Sequence, residues 1–94
     1  MVFAWDEAKD RINRRKHGVS FETAALVFDD PNAVSYRERV VGTEQRWHTI
    51  GQAGGIVVLL VVHTSEEQND EEEIRIISAR KASSRERALY DAYQ

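Results

Sequence analysis

Hydrophobic and polar positions along the chain follow two rhythms, helical before residue 33 and strand-like after it. Val2 to Trp5 is short, apolar and aromatic, which predicts a brief strand at a sheet edge. Asp6 is a good helix N-cap, and Asp6, Glu7 and Asp10 suit the positive end of a helix dipole. That helix should run to about His17 and stop at Gly18, with a thin apolar face of Ala8 and Ile12 flanked by Trp5. Ser20 caps a second helix, in which Phe21, Ala24, Ala25 and Phe28 make a core-facing stripe with Val27 beside it. Asp29-Asp30-Pro31-Asn32 ends this helix, because a residue before proline is driven out of the helical region.

From Ala33 the period changes to two. Ala33 to Val41 reads as a strand with Val34, Tyr36 and Val40 facing alike, and Arg46 to Gln52 as a second. Gly54-Gly55 makes a hairpin turn into Ile56 to His63, a run apolar on both faces that belongs in the sheet centre. Ser65 to Glu73 reads as an acidic loop. Ile74 to Arg80 is the closing strand, and strict alternation puts Arg75 and Arg80 on opposite faces. Ser83 and Glu86 then form a capping box for a last helix burying Leu89 and Tyr93 with Ala82 or Ala88, while Tyr90 is left to stack on a base. The order β-α-α-β-β-β-β-α predicts one α+β domain over residues 1–94. Two N-terminal helices and one C-terminal helix would surround a largely antiparallel sheet of four to five strands.

The net charge of −3 hides a segregation of charge. Six of the sixteen acids are Glu66, Glu67, Asp70, Glu71, Glu72 and Glu73; without them ten acids face thirteen bases. The bases cluster at Arg11, Arg14, Arg15 and Lys16, and again at Arg75, Arg80, Lys81, Arg85 and Arg87. Each block alone reads as a solvated face, whereas the two converging would make an anion-binding surface. The second block ends a strand where a helix begins, an arrangement suited to phosphate. Cysteine is absent, which removes disulfides and thiolate metal sites. No signal-peptide pattern opens the chain, and its longest apolar run falls far short of the roughly 20 residues that span a bilayer, so no membrane association and a cytoplasmic location are expected.

Phe3-Ala4-Trp5-Asp6-Glu7-Ala8-Lys9, Arg15-Lys16-His17-Gly18-Val19-Ser20-Phe21 and Val27-Phe28-Asp29-Asp30-Pro31 resemble the BrnT toxin family. So do Arg46-Trp47-His48-Thr49-Ile50-Gly51, Val62-His63-Thr64 and Ile74-Arg75-Ile76-Ile77-Ser78-Ala79-Arg80. The resemblance covers nearly the whole chain in order. It implies a RelE-like fold, a toxin of a type II toxin–antitoxin pair, and a ribonuclease that arrests translation. It also implies neutralisation by a ribbon-helix-helix antitoxin (BrnA-like) whose complex binds operator DNA, with a homodimer or heterotetramer as possible assemblies. The acidic stretch Glu66 to Glu73 is longer and more acidic than the family pattern; folded over the basic surface it would weaken RNA binding.

Cleaving RNA without metal requires a base for the 2′-hydroxyl, charge stabilisation for the phosphorane and an acid for the leaving 5′-oxygen. Arg46, Arg75, Arg80 and Lys81 are the candidate phosphate holders, since a guanidinium grips phosphate with paired hydrogen bonds. Of the three histidines, His63 ends the most buried strand and is the candidate catalytic group, with a core role equally open. His48 shares a face with Ile50 and reads as half-buried and structural. Arg15, Lys16, His17, Lys81 and Arg85 are candidate RNA-binding residues, although His17 also fits a capping cation at a helix C-terminus. Glu86 has a sufficient role in the capping box, and Trp5 and Trp47 read as packing residues. Widely separated histidines give no metal-ligand spacing, and no glycine-rich phosphate loop is present, so neither metal nor cofactor is expected. Two other readings remain: a non-catalytic partner or co-repressor module that pairs with a small DNA-binding protein, and a structural dimerisation domain.

Overall fold

The computed structural model describes residues 1–38, 40 and 42–94. Its elements are β1 (Val2–Ala4), α1 (Glu7–His17), α2 (Phe21–Ala25), a 3₁₀ turn (Leu26–Asp29), β2 (Val34–Arg37), β3 (Trp47–Ala53), β4 (Val57–Gln68), β5 (Glu71–Lys81) and α3 (Ser84–Ala92). The strands form one five-stranded sheet in the order β1-β5-β4-β3-β2. β1 runs parallel to β5 and the other neighbours are antiparallel. A strand therefore precedes the two N-terminal helices, and the doubly apolar β4 takes the middle of the sheet as its composition requires. Within the expected strand from Ala33 to Val41 the structure has β2 at Val34–Arg37, and Arg39 and Val41 lie outside the described residues.

The two faces of the sheet are covered by different helices. α1, α2 and the 3₁₀ turn bury Phe21, Ala24 and Val27 against Leu59, Val61, Ile74 and Ile76. α3 covers the other face with Tyr90 on Ile50 and Leu60. The switch to 3₁₀ after Ala25 explains why Val27, spaced three from Ala24, is fully buried while Phe28 is only partly so. Gly51 permits the close approach of this turn to β3, for a Cβ there would lie 2.8 Å from Val27 Cγ1. At the end of the turn Asp30 is extended, at φ −76° and ψ 114°, as the following proline demands.

α1 docks through polar groups. Ala8 is exposed and Ile12 is 61% exposed; the buried residues are Asp10 and Asn13. The expected Ala8–Ile12 stripe is thus absent from the interface. Asp10 Oδ1 accepts the backbone N–H of Phe21 at 2.8 Å. Asn13 Nδ2 donates to the carbonyls of Ala79 (2.8 Å) and Val19 (2.9 Å), and its Oδ1 accepts the Ala79 N–H at 3.2 Å. β1 pairs with β5 only as far as Arg75, so at Ala79 the strand is a sheet edge. The Asn13 amide completes that edge as a neighbouring peptide would.

Three further expectations are corrected. The acidic stretch is no loop: β4 and β5 pair through Glu66·Glu73, Glu67·Glu72 and Gln68·Glu71, closed by Asn69 and Asp70 at φ 53° and 64°. In the last helix Tyr90 is buried, at 5% exposure, whereas Leu89 and Tyr93 are exposed. A β-bulge between Val62 and His63 shifts the register, so that Thr64 faces Arg75 and Leu60 faces Arg80. The extra residue brings Arg75 and Arg80 to the same face, which strict alternation could not foresee.

Replacing Asn13 with alanine leaves the Ala79 N–H and C=O and the Val19 C=O without their side-chain partner in a buried place. Each such group costs about 1–3 kcal/mol, so Asn13→Ala should lower the unfolding free energy by about 3 kcal/mol or more. Equilibrium denaturation reads this directly, and a loss below about 0.5 kcal/mol would show that the amide is not what closes the edge.

Candidate active site

β2 and β3 pair Tyr36 opposite His48, on the face that α3 covers only in part. Their rings stand 5.1 Å apart. His48 Nδ1 is 3.1 Å from the Tyr36 hydroxyl, and His48 Nε2 is 2.9 Å from Glu38 Oε2. A carboxylate only accepts, so Nε2–H donates to Glu38; in the neutral ring Nδ1 then accepts from the Tyr36 O–H. A carboxylate that orients an imidazole, whose other nitrogen meets a hydroxyl, is a proton-transfer relay in its chemistry. The Tyr36 hydroxyl is pushed up from its ordinary pKa by burial first and then by Glu86, with Arg80 acting in the opposite direction.

Arg80 comes to this face from β5. Its two terminal nitrogens grip both oxygens of Glu86, Nη1 to Oε1 at 2.7 Å and Nη2 to Oε2 at 2.9 Å. Glu86 also accepts the Ser83 N–H at 2.8 Å in the capping box, so the first turn of α3 is bound to the end of β5. The paired hydrogen bonds from Arg80, together with those of Ser83, hold the Glu86 carboxyl down at about 2. Arg46, just before β3, reaches the same neighbourhood because its carbonyl accepts the Glu38 N–H at 2.9 Å; its guanidinium rests on Glu44 at 3.2 Å.

The residues singled out from sequence are therefore divided between surfaces. Arg80 lies on the open face near Tyr36, and Arg46 lies beside it just before β3; Arg75 shares the face but sits where β5 meets β1, its charge acting on Asp6. Lys81 and Arg85 are exposed at the β5–α3 junction. Arg15, Lys16 and His17 lie in the last turn of α1, on the side of the sheet held by the first core, where Lys16 and His17 border Ile77 and Ser78.

His63 stands apart as well. It faces Phe28 edge-on at 4.9 Å and is 4% exposed. Nε2 lies 2.7 Å from Thr49 Oγ1 and Nδ1 lies 3.2 Å from the Thr64 carbonyl. Burial lowers its pKa, disfavouring the charged ring. Both nitrogens are engaged within the protein, on the face opposite Tyr36 and His48. Sequence reasoning passed over Tyr36 and Glu38 and read His48 as structural. The signal was the Tyr-x-Glu spacing, which puts two polar groups on one strand face opposite a histidine. Among the described residues no three His, Asp or Glu side chains are arranged to hold a metal ion.

Because folding depresses the Glu86 pKa from 4.5 to about 2, the Arg80–Glu86 pair contributes its stability above the higher value. That contribution should fade as the pH falls toward about 2. Denaturation at stepped pH should show the wild-type protein losing stability across this window, and Glu86→Gln, already weaker at neutral pH, should be flatter there. Equal slopes in the two proteins would mean that Glu86 is not the titrating group.

A family model described as the ribonuclease toxin BrnT of type II toxin–antitoxin systems matches residues 5–86. No curated protein matches the chain. The 1.1 Å crystal structure of the Brucella abortus ribonuclease toxin BrnT is similar in fold, with a TM-score of 0.60 at 23% identity, covering 89% of this chain and 100% of that one. The α+β architecture, with its five-stranded and mostly antiparallel sheet, is shared. With the family model spanning all but the ends, the chain belongs to the BrnT family of type II toxin–antitoxin ribonuclease toxins.

Proposed function

We propose that the protein is an endoribonuclease that arrests translation by cutting RNA without a metal, using the Tyr36–His48–Glu38 relay beside Arg80. The observation that carries this reading is the pairing of an oriented imidazole with a fixed guanidinium on one open sheet face. His48, oriented by Glu38, takes the 2′-hydroxyl proton at Nδ1. The 2′-oxygen attacks phosphorus, the bond to the 5′-oxygen breaks, and a 2′,3′-cyclic phosphate and a 5′-hydroxyl form. Tyr36 supplies the leaving oxygen with its proton and regains one from His48. Arg80 stabilises the phosphorane, with Arg46 and Arg75 as further phosphate contacts. Glu86 acts on Arg80 as its positioning partner.

Arg15, Lys16, His17, Lys81 and Arg85 are assigned to more distant stretches of the RNA backbone, where exposed cations add affinity that salt weakens. Family membership supports an antitoxin partner. We assign it to the ribbon-helix-helix class (BrnA-like), its complex with the toxin binding operator DNA in a cytoplasmic setting.

A cleavage assay on a defined RNA, run with EDTA, tests the reading. Cleavage should persist in EDTA and fall by about 10²–10⁴-fold in His48→Gln, with a comparable loss in Arg80→Ala. His63→Gln should lower stability more than turnover once folded protein is matched. If His63→Gln abolishes cleavage at matched folding while His48→Gln does not, His63 is the base and the relay assignment fails. If the folded wild-type protein cuts neither free RNA nor RNA on ribosomes, the non-catalytic partner module replaces the enzyme.

A further inference from the structure

On the face opposite the relay, the sheet extends beyond the 3₁₀ turn and leaves a cleft of about 320 Å³. Phe28 and Trp47 are its aromatic lining and Ser35, Ser65 and Glu72 its polar lining; Met1 also borders it, with its ammonium paired to Glu71 of the hairpin at 3.3 Å. The acidic hairpin rises directly from it. Cross-strand register puts Glu67 and Glu72 opposite each other on the cleft side, and Glu66 and Glu73 opposite each other on the relay side. Like charges facing across a ladder destabilise a hairpin. Asn69 and Asp70 additionally hold positive φ angles to close it. The carboxylates of Glu67 and Glu72 thus stand together beside the aromatic lining of the cleft. Trp47 already takes one guanidinium, that of Arg37, 5.5 Å from its ring centroid.

We propose that this cleft is a docking site for a basic protein segment, which inserts an arginine side chain between Trp47 and Phe28 and pairs it with Glu72 and Glu67. Charge complementarity selects the occupant. An aromatic wall attracts a cation through its ring quadrupole, and a carboxylate rim completes the recognition with charge-assisted hydrogen bonds. The same rim repels phosphate, which disfavours RNA. Ser65 Oγ donates to Glu72 Oε2 at 2.6 Å, so the carboxylate that would receive the arginine is held toward the cleft before any partner arrives. The site is separate from the relay and does not depend on whether the protein cuts RNA.

The experiment is a titration of ¹⁵N-labelled full chain with a hexapeptide amide alternating glycine and arginine, and with its glutamate counterpart. Arginine peptide should shift the Trp47 indole and the amides of Ser35, Ser65 and Glu72, and the glutamate peptide should shift none of them. Glu67→Gln/Glu72→Gln should weaken binding about tenfold. Glu66→Gln/Glu73→Gln removes the same charge from the other side of the same hairpin and should change affinity less than about twofold. Both double variants remove a like-charge pair and so should keep the fold. Trp47→Leu should lose binding with the relay-face resonances unmoved.

Equal weakening by the two pairs would reduce the effect to diffuse attraction and overturn the proposal. So would shifts centred on Tyr36, His48 and Arg80, or the absence of peptide binding. A short RNA oligonucleotide that moves the cleft resonances would make the site a nucleotide pocket instead. Concentration-dependent shifts at these residues without peptide would point to a second copy of the chain. Either result overturns the assignment.

Discussion

One half-buried carboxylate joins the layers of this molecule. Asp30 Oδ2 accepts the Gln52 N–H at 2.8 Å and the Tyr90 hydroxyl at 2.6 Å, while its Oδ1 accepts the Asn32 N–H at 2.9 Å. Burial opposes its charge, but these three donors more than offset that and keep the carboxyl below its ordinary range. Tyr90, in return, is pushed up to about 12, chiefly by its hydrogen bond to Asp30. β2 pairs with β3 only as far as Ile50, so the Gln52 N–H would otherwise meet a gap in the ladder. Pro31 sets the extended backbone that turns Asp30 inward, Asp30 anchors Tyr90, and Tyr90 fixes α3 on the sheet. α3 then carries Glu86 to Arg80. A local proline constraint is thereby transmitted to the placement of a guanidinium on the far side of the sheet.

Polar groups do much of the structural work elsewhere. Asn13 closes the β5 edge, Asp10 caps α2 through the Phe21 N–H, and a line of hydroxyls leads from Ser35 through Thr49 to His63. Among the described residues no buried side-chain nitrogen or oxygen lacks a partner. Such networks stabilise weakly when complete and penalise heavily when broken, so they favour one arrangement over its competitors. This accounts for a helix, α1, that packs well with few apolar contacts.

The division of charge follows from the sheet as well. Extending β4 and β5 as a paired ladder keeps the six acids of Glu66 to Glu73 from folding back over the relay. Alternation sends Glu66 and Glu73 to one side and Glu67 and Glu72 to the other. The relay face therefore carries Arg80 paired with Glu86 beside Tyr36 and His48, and the opposite face carries Glu67 and Glu72 beside Trp47 and Phe28.

Local signals in the sequence determined most of the architecture. Asp6, Ser20 and Ser83 are N-caps, Gly18 ends α1 at φ 72°, and Ile56 to His63 marks the middle strand, because each depends on neighbours within a turn or on a period of two. The family resemblance was readable for the same reason, as short runs of residue types. What the tertiary structure alone decided were contacts between distant positions. The Asn13–Ala79 pairing leaves no periodic trace in α1, and the bulge that unites Arg75 with Arg80 is one unpaired residue in an otherwise regular strand. That His48 and His63 lie on opposite faces of the sheet follows from the cross-strand register, and which helices cover each face from packing. Periodicity specifies that a residue is inward or outward along its own element; only packing specifies what lies on the other side.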